Sequence, residues 1–294
     1  MIVQFSVANY LSFKEMSTLS LATTNLKETA IPETDSMTEM GGAIPAVLHG
    51  AAIYGANASG KSNFAKAFAT FKWLIINSIK ELQAGDALDV ESFMLNDTTA
   101  KEPSVFEIVF CNVDYIFRYG FEVDGVKVHK EWLYRRNNKK RAKEVELWYR
   151  EGDIYNVHPS CAIAKSVVAN KMVRDNALLV SVAAQFNDET AVSIVDWLND
   201  TSIITSHDDE VMWKRAAIKL DDQKMRKRIV DFSRYADLGI EDIYKVNDEV
   251  VSSFSQFTML TAVSSLNCAA TETSSALSRT ILLAIRFFAI AHEG

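Results

Sequence analysis

One segment of the chain limits the fold more than any other. Residues 55–62 have the sequence Gly-Ala-Asn-Ala-Ser-Gly-Lys-Ser, a full match to the pattern G-x-x-x-x-G-K-S/T. The compact apolar run at residues 46–54 comes directly before it and predicts a strand buried on both faces. The residues after it, 61–82, carry apolar side chains at spacings of three and four and predict an amphipathic helix. A strand, a glycine-containing loop and a helix in this order predict an α/β fold with a phosphate-binding loop, and this context argues against a chance match.

The chemistry of phosphate binding explains the residue types in this loop. Glycines allow the backbone to curl so that successive N–H groups point at phosphate oxygens. The helix that follows directs its positive end at the same oxygens. We predict that Lys61 contacts the β- and γ-phosphates of a nucleoside triphosphate, and that the hydroxyl of Ser62 binds Mg²⁺.

The remaining pattern predicts a β-rich block followed by helices. Predicted strands lie at residues 2–8, 16–23, 105–110, 115–123, 128–134 and 145–150, and a surface loop lies at 24–42. Turn signals occur at Asn112, at Asp124-Gly125 and at Asn137-Asn138, and the second of these is the strongest hairpin signal. Predicted helices lie at 177–186, 189–198 and 211–235, and a last helix begins at Ser274.

The loop and the first residues of the chain resemble a known family. The form G-A-N-A-S-G-K-S-N, which includes Asn63, and the opening segment at residues 5–13 resemble ABC-type ATPases of the SMC and RecF branch. The resemblance implies an ABC-ATPase-like head with a mixed sheet around the loop strand, and ATP rather than GTP as the nucleotide. It also implies that Asn9, Ser12 and Phe13 border the nucleotide, whereas Phe13 as an ordinary core residue is the alternative. The implied nucleotide-binding residues are Gly55, Ala56, Asn57, Ala58, Ser59, Gly60, Lys61, Ser62 and Asn63.

A narrower resemblance extends along most of the chain. The segments 103–108, 119–122, 176–179 and 236–240 resemble ATP-binding proteins related to the OLD family and to abortive-infection ATPases of bacterial phage defence. The resemblance implies three regions: a nucleotide-binding α/β lobe with a β-rich flank at 1–161, a helical lobe at 162–250, and a return to the ATPase core at 251–294. It implies a switch protein of phage defence or DNA maintenance, with ATP held between two heads of a homodimer.

Two other family segments depart from the expected pattern. Residues 272–279 resemble the signature segment, but Ala276 stands nearest to the position where the family has a glycine. Four apolar residues followed by Asp-Glu, the Walker B pattern, occur nowhere, and the setting of Asp209-Glu210 is too polar. We expect a fragment, a naturally shortened protein or a site completed by another polypeptide. ATP binding is expected in each case, ATP hydrolysis only if the missing carboxylates are supplied elsewhere. The alternative function is a non-hydrolysing nucleotide sensor that controls a nuclease or toxin.

Composition and charge narrow the classes of partner. No targeting signal is visible and the longest late apolar stretch is too short to cross a bilayer, so we expect a cytoplasmic protein without a membrane partner. The net charge of −7 opposes general attraction to nucleic acid. Cations nevertheless cluster around Asn137-Asn138, namely Arg135, Arg136, Lys139, Lys140, Arg141 and Lys143. We favour a solvated hairpin tip, and a nucleic-acid contact is the alternative. Scattered cysteines, Cys111, Cys161 and Cys268, predict reduced thiols.

Overall fold

The computed structural model describes residues 1–23, 37–40, 42, 44–111, 114–139, 141–204, 218–235, 242–243 and 283–286. The chain divides into two compact units. The first unit consists of Met1–Ser202 and Leu282–Gly294, and the second of Ile203–Ile281.

Eleven strands are described, all in the first unit. They are β1 (Ile2–Ala8), β2 (Ser17–Ser20), β3 (Met37–Glu39), β4 (Ala46–Leu48), β5 (Gly50–Ile53), β6 (Ser104–Cys111), β7 (Tyr115–Val123), β8 (Val128–Asn137), β9 (Val145–Glu151), β10 (Ile154–Val157) and β11 (Leu283–Arg286). Seven of them form one sheet in the order β10-β9-β8-β7-β6-β1-β2. Every pairing among the described strands is antiparallel. A mixed sheet needs at least one parallel pair, so the mixed sheet expected around the strand before the loop stays a prediction.

The predicted β-rich block is confirmed, and its alternating sequence explains it. Along β6 the buried side chains alternate with half-buried ones, as expected for a strand with one face in the core. The β7–β8 hairpin turns at Asp124-Gly125 as predicted. The carboxylate of Asp124 accepts hydrogen bonds from the backbone N–H groups of Val126 (2.7 Å) and Lys127 (2.8 Å) and closes the turn.

Five α-helices are described: α1 (Lys61–Asn77), α2 (Ala162–Ala169), α3 (Leu179–Gln185), α4 (Glu189–Asp200) and, in the second unit, α5 (Gln223–Tyr235). The apolar stripe of α1 is buried as predicted, and it packs on the large sheet. Phe5 of β1 makes edge-to-face contacts with Phe64 and Phe68, with ring centroids 5.5 and 5.1 Å apart. Phe71 stacks on Phe121 of β7 at 5.3 Å. This packing fixes α1, and with it the loop that precedes it.

The end of α1 lies earlier than the sequence predicts. The pattern extends to residue 82, but the helix ends at Asn77 and two turns follow. The guanidinium group of Arg174 donates to the carbonyl oxygens of Ser78 (3.2 Å) and Leu82 (2.9 Å). This tertiary contact satisfies carbonyls beyond the helix and allows the chain to turn away early.

A buried carboxylate, that of Glu131, holds the start of α3. Glu131 of β8 is fully buried and accepts hydrogen bonds from the first N–H groups of α3, at Leu179 (2.6 Å) and Val180 (3.0 Å). It also accepts the hydroxyl of Tyr119 at 3.0 Å. Burial raises the pKa of Glu131, while the nearby Arg150 and the three donors act in the opposite direction. The carboxylate joins the sheet to the positive end of α3.

The prediction of one strand buried on both faces at residues 46–54 is wrong. This run is divided at His49 into two short strands, which pair with different partners: β4 with β3, and β5 with β11. Ala52 is exposed, and Tyr54 is 72% exposed. The partner strands β3 and β11 lie beside the run in the plane of each sheet, so this pairing leaves the faces of β5 uncovered.

The predicted last helix is also wrong where the structure describes it. Residues Leu283–Arg286 form β11, which pairs antiparallel with β5. A short, continuous apolar run is compatible with a helix stripe and with a buried strand, and the exposed edge of β5 supplies the hydrogen-bonding partner that selects the strand.

In the second unit, most of the basic side chains at the start of α5 are exposed. Lys224, Lys227 and Arg228 are exposed, whereas Val230 is buried. Arg226 forms an ion pair with Asp242 at 2.7 Å. This helix therefore directs its charged face to solvent.

Candidate functional site

The predicted phosphate-binding loop connects β5 to α1. Residues 54–59 are exposed, and Gly60 and Lys61 are half-buried. The described structure thus places the loop between a strand and a helix, as the motif requires. The backbone of the loop is open to a ligand from solution.

The loop backbone adopts a conformation that glycine favours. Gly60 has a φ of +91° and forms the N-cap of α1. A Cβ at this position would lie 2.7 Å from the Oγ atom of Ser12, and a Cβ at Gly55 would lie 2.7 Å from the Oγ atom of Ser59. A side chain at either glycine would therefore meet a serine hydroxyl, and at Gly60 the left-handed backbone disfavours other residues as well.

The start of α1 carries uncompensated positive character. No side chain caps its N-terminus, and its first turn contains no acidic residue. Asn63 and Phe64 donate their N–H groups to the carbonyl oxygen of Gly60, at 2.9 and 3.3 Å. The backbone N–H groups at the helix start, before Asn63, have no carbonyl acceptor one turn earlier in the helix. These N–H groups and the helix dipole therefore favour an anion at the loop.

Lys61 lies across the loop rather than in solution. Its Nζ atom donates to the carbonyl oxygens of Gly55 and Ala56, both at 2.7 Å. The ammonium group is thereby held over the same backbone that would surround a phosphate. Phosphate oxygens are stronger acceptors than neutral carbonyls, so an anion in the loop would compete well for this cation.

The hydroxyl of Ser62 is the predicted magnesium ligand. Ser62 is exposed and, within the described ranges, its hydroxyl forms no hydrogen bond. Nor does the described part of the chain contain a group of three or more His, Cys, Asp or Glu side chains that could hold a metal ion. One hydroxyl with a nucleotide's phosphates and water suits Mg²⁺, which keeps several waters in protein sites.

The opening segment of the chain packs against the start of α1. The amide of Asn63 donates to the Oγ atom of Ser12 at 3.0 Å, and the ring of Phe13 contacts that of Phe64 at 6.0 Å. The hydroxyl of Tyr10 bonds that of Thr70 at 2.9 Å and ties the same turn to the middle of the helix. Ser12 and Phe13 therefore lie beside the start of α1, and their place at the border of a nucleotide stays a prediction.

The side chain of Asn9, also expected at the border of a nucleotide, is engaged with another segment of the chain. Asn9 is buried, with a φ of +48°, and its amide donates to the carbonyl oxygens of Thr99 and Glu102, both at 2.8 Å. Its Oδ1 atom accepts the N–H group of Phe93 at 3.2 Å. The side chain holds the segment at residues 93–103, a contact that no local pattern in the sequence indicates.

The cationic cluster lies at the tip of the β8–β9 hairpin, as predicted. The guanidinium group of Arg135 lies over the ring of Tyr115, 4.7 Å from its centroid. Lys139, Arg141 and Lys143 are exposed. Lys140 lies outside the described residues.

Several predicted features fall on residues that the structure does not describe. The signature-like segment at 272–279, Asp209-Glu210 and Cys268 are among them. The other two cysteines, Cys111 and Cys161, are buried free thiols, and burial raises the pKa of each. Among the described helices, none has the length and apolar character that crossing a membrane requires.

Comparison with known proteins gives one match. Residues 51–152 match the family model described as "AAA domain, putative AbiEii toxin, Type IV TA system". The matched segment includes β5, the loop, α1 and the strands from β6 to β9. An AAA domain is a P-loop nucleotide-binding domain, and the match supports a P-loop ATPase that binds ATP. The searches among curated proteins and among solved structures found no match.

Proposed function

We propose that this protein is an ATP-binding switch of a bacterial phage-defence system, in which the loop at residues 55–62 holds the triphosphate. The observation that carries the proposal is the loop itself. A left-handed Gly60, an uncapped helix start and the inward-lying ammonium of Lys61 together create a site for a polyphosphate anion. The match of residues 51–152 to an AAA domain supports ATP as that anion.

Each residue of the loop has a defined task in this proposal. The bound nucleotide supplies a triphosphate whose terminal phosphoryl group can be transferred to water when magnesium is present. Lys61 exchanges its two carbonyl acceptors for oxygens of the β- and γ-phosphates. The N–H groups at the start of α1 donate to the same anion, and the hydroxyl of Ser62 is a ligand for Mg²⁺. The Ser12–Asn63 hydrogen bond keeps the first turn of the helix in position.

The defence context follows from two lines of support. The matched family description names an AbiEii toxin and a toxin–antitoxin system, and the segments described above resemble abortive-infection ATPases. We therefore propose that ATP occupancy controls the activity of a toxin or nuclease.

The switch that we propose is an ATP-dependent homodimer. In it, the loop of one head faces the signature-like segment, residues 272–279, of the other, so that ATP lies between the two. Light scattering of the purified chain with and without ATP and Mg²⁺ tests this arrangement, with Lys61→Ala as the matched control. We expect a doubled mass only for the parent chain with ATP. A monomer at high protein concentration with saturating ATP would contradict the dimer.

A second candidate function is a nucleotide sensor that binds ATP without turnover. This candidate rests on a sequence pattern: among the 294 residues, no run of four apolar residues is followed by Asp-Glu, the pair that positions magnesium and water in related ATPases. Phosphate release measured beside equilibrium binding distinguishes the two functions. Binding without phosphate release supports the sensor, whereas turnover that Lys61→Ala abolishes supports the ATPase.

A further inference from the structure

The tip of the β8–β9 hairpin concentrates positive charge on a chain that is acidic as a whole. Residues 135–143 contain six Lys or Arg residues and no Asp or Glu, while the net charge of the chain is −7. We define the basic tip as the five of these cations that the structure describes: Arg135, Arg136, Lys139, Arg141 and Lys143. Such a local excess of one sign creates a positive potential that the overall charge does not remove.

The outermost cations of the basic tip are not neutralised within the described part of the chain. Lys139, Arg141 and Lys143 are exposed, and none of them forms an ion pair with a described residue. Other cations of this unit do have such partners. Lys130, for example, pairs with Glu122 at 3.2 Å.

The carboxylates that follow the basic tip in the chain, Glu144 and Glu146, form hydrogen bonds with residues outside the tip. Glu144 accepts two hydrogen bonds from Arg118, at 3.2 and 2.7 Å. Glu146 accepts the hydroxyl of Tyr134 at 3.0 Å and the amide of Asn156 at 2.7 Å. These contacts direct both acids to other partners, so the charge of the basic tip remains available to a ligand.

The basic tip is held by the fold rather than by its own charges. The backbone N–H of Asn138 donates to the carbonyl oxygen of Asp114 at 3.0 Å, and its side-chain amide donates to that of Met40 at 3.0 Å. Within the turn, the N–H of Ala142 donates to the carbonyl oxygen of Lys139 at 3.1 Å. These bonds hold the backbone at Asn138 and join Ala142 to Lys139, which lowers the entropy lost on binding.

At the base of the basic tip, Arg135 is held by a contact that does not neutralise its positive charge. Its guanidinium group lies over the ring of Tyr115 at 4.7 Å, a contact that orients the group but supplies no counter-charge. Guanidinium groups present planar donors that suit phosphate oxygens. Arg135 therefore extends the positive surface from the tip towards the sheet.

We propose that the basic tip binds the phosphodiester backbone of nucleic acid, without sequence preference. Stable protein–protein interfaces typically have an apolar core, but residues 135–143 contain no apolar side chain larger than that of Ala142. Binding to a phosphate backbone requires only closely spaced Lys and Arg residues, because it is driven by the release of counterions. The basic tip shares no residue with the phosphate-binding loop at residues 55–62.

The test is the salt dependence of binding to a labelled 30-base-pair DNA duplex and to a labelled 30-nucleotide single-stranded RNA. The full chain is compared with the triple variant Lys139→Gln, Arg141→Gln, Lys143→Gln. A matched control, Lys101→Gln, Lys165→Gln, Lys171→Gln, removes the same charge from three other exposed positions. Each lost phosphate contact lowers the slope of log K against log salt by about 0.9 on duplex DNA and by about 0.7 on a single strand.

We expect the tip variant to lose about 2 to 3 from the slope on duplex DNA, or about 2 on RNA, while the control variant retains the parent slope. Whichever of the two binds more tightly, duplex DNA or single-stranded RNA, is the class of nucleic acid that the basic tip prefers. The inference is overturned if neither nucleic acid binds at low salt, or if both triple variants lose the same slope. It is also overturned if poly-glutamate of equal charge competes as well as the nucleic acid, which would indicate an acidic protein partner. Lys61→Ala should leave this binding unchanged, so failure of the ATP proposal is separable from failure here.

Discussion

Replacement of Gly60 by alanine probes the geometry of the loop with a control that the chain itself provides. Gly60 has a φ of +91°, and a Cβ there would lie 2.7 Å from the Oγ atom of Ser12. Gly85 has a φ of +87°, and a Cβ there would have no atom within 4 Å. The two substitutions share the backbone strain, and only the one at Gly60 adds a steric contact.

The expected losses of stability have two sources, the backbone strain at both positions and the steric contact at Gly60. An alanine in the left-handed region costs about 1–2 kcal/mol at either position. At Gly60, the new methyl group also forces the hydroxyl of Ser12 to turn away from Asn63, and the loss of that hydrogen bond costs about 0.5–1.5 kcal/mol. We expect Gly60→Ala to destabilise the protein by about 1 kcal/mol more than Gly85→Ala, or about 2–4 °C in Tm for a domain of this size class.

A double-mutant cycle separates the contact from the strain. In a Ser12→Ala background the nearest atom to the new methyl group is the Cβ atom of residue 12, at 3.6 Å, which is an ordinary contact. Gly60→Ala should then cost only what Gly85→Ala costs. The assay is guanidinium-induced unfolding, followed by tryptophan fluorescence. Equal costs at the two glycines, or an unchanged cost of Gly60→Ala in the Ser12→Ala background, would refute the reasoning.

Two further predictions concern the buried carboxylates. Glu131→Gln should cost about 1–3 kcal/mol, because one amide oxygen cannot satisfy the three donors that the carboxylate accepts. The raised pKa of Glu131 gives stability that is complete below its ordinary value of 4.5 and is lost as pH rises through the folded pKa. Unfolding free energies measured from pH 4 to 8 should therefore show a decline in the parent chain that the variant lacks, and parallel profiles would contradict this. Asp188→Ala should cost about 1–2 kcal/mol, because this side chain caps α4 at Ala191 (3.1 Å) and also accepts the N–H of Ala164 in α2 (3.3 Å). The exposed Asp196→Ala is the control in the same unfolding assay, and an equal effect of the two would count against the capping role.

The parts of the fold that the sequence predicted are those set by local periodicity. The stripe through Phe64, Phe68 and Phe71 has one interpretation, because spacings of three and four occur only on a helix face. The β7–β8 hairpin was also predictable, because Asp124-Gly125 closes a turn through its own backbone and side chain. The loop at residues 55–62 combines both kinds of signal with a specific motif.

The parts that the sequence could not predict depend on distant contacts. Asn9 bonds carbonyl groups about ninety residues away, and Glu131 caps a helix that begins 48 residues later. No window of the sequence contains both partners of either contact. For Leu283–Arg286, the apolar run itself fits both helix and strand, and only the pairing with β5 decides between them.

The central claim is that the loop at residues 55–62 binds ATP, and isothermal titration of the purified chain with ATP and Mg²⁺ tests it most directly. The informative comparison is between Lys61→Ala and Lys66→Ala, since Lys66 is an exposed lysine five residues later on the same helix. A charge-assisted hydrogen bond contributes about 1.5–3 kcal/mol, so loss of Lys61 should weaken binding by roughly tenfold to hundredfold, or abolish it. We expect Lys66→Ala to bind ATP as the parent chain does. An affinity that Lys61→Ala leaves unchanged, or a parent chain that does not bind ATP, would contradict the assignment of this loop.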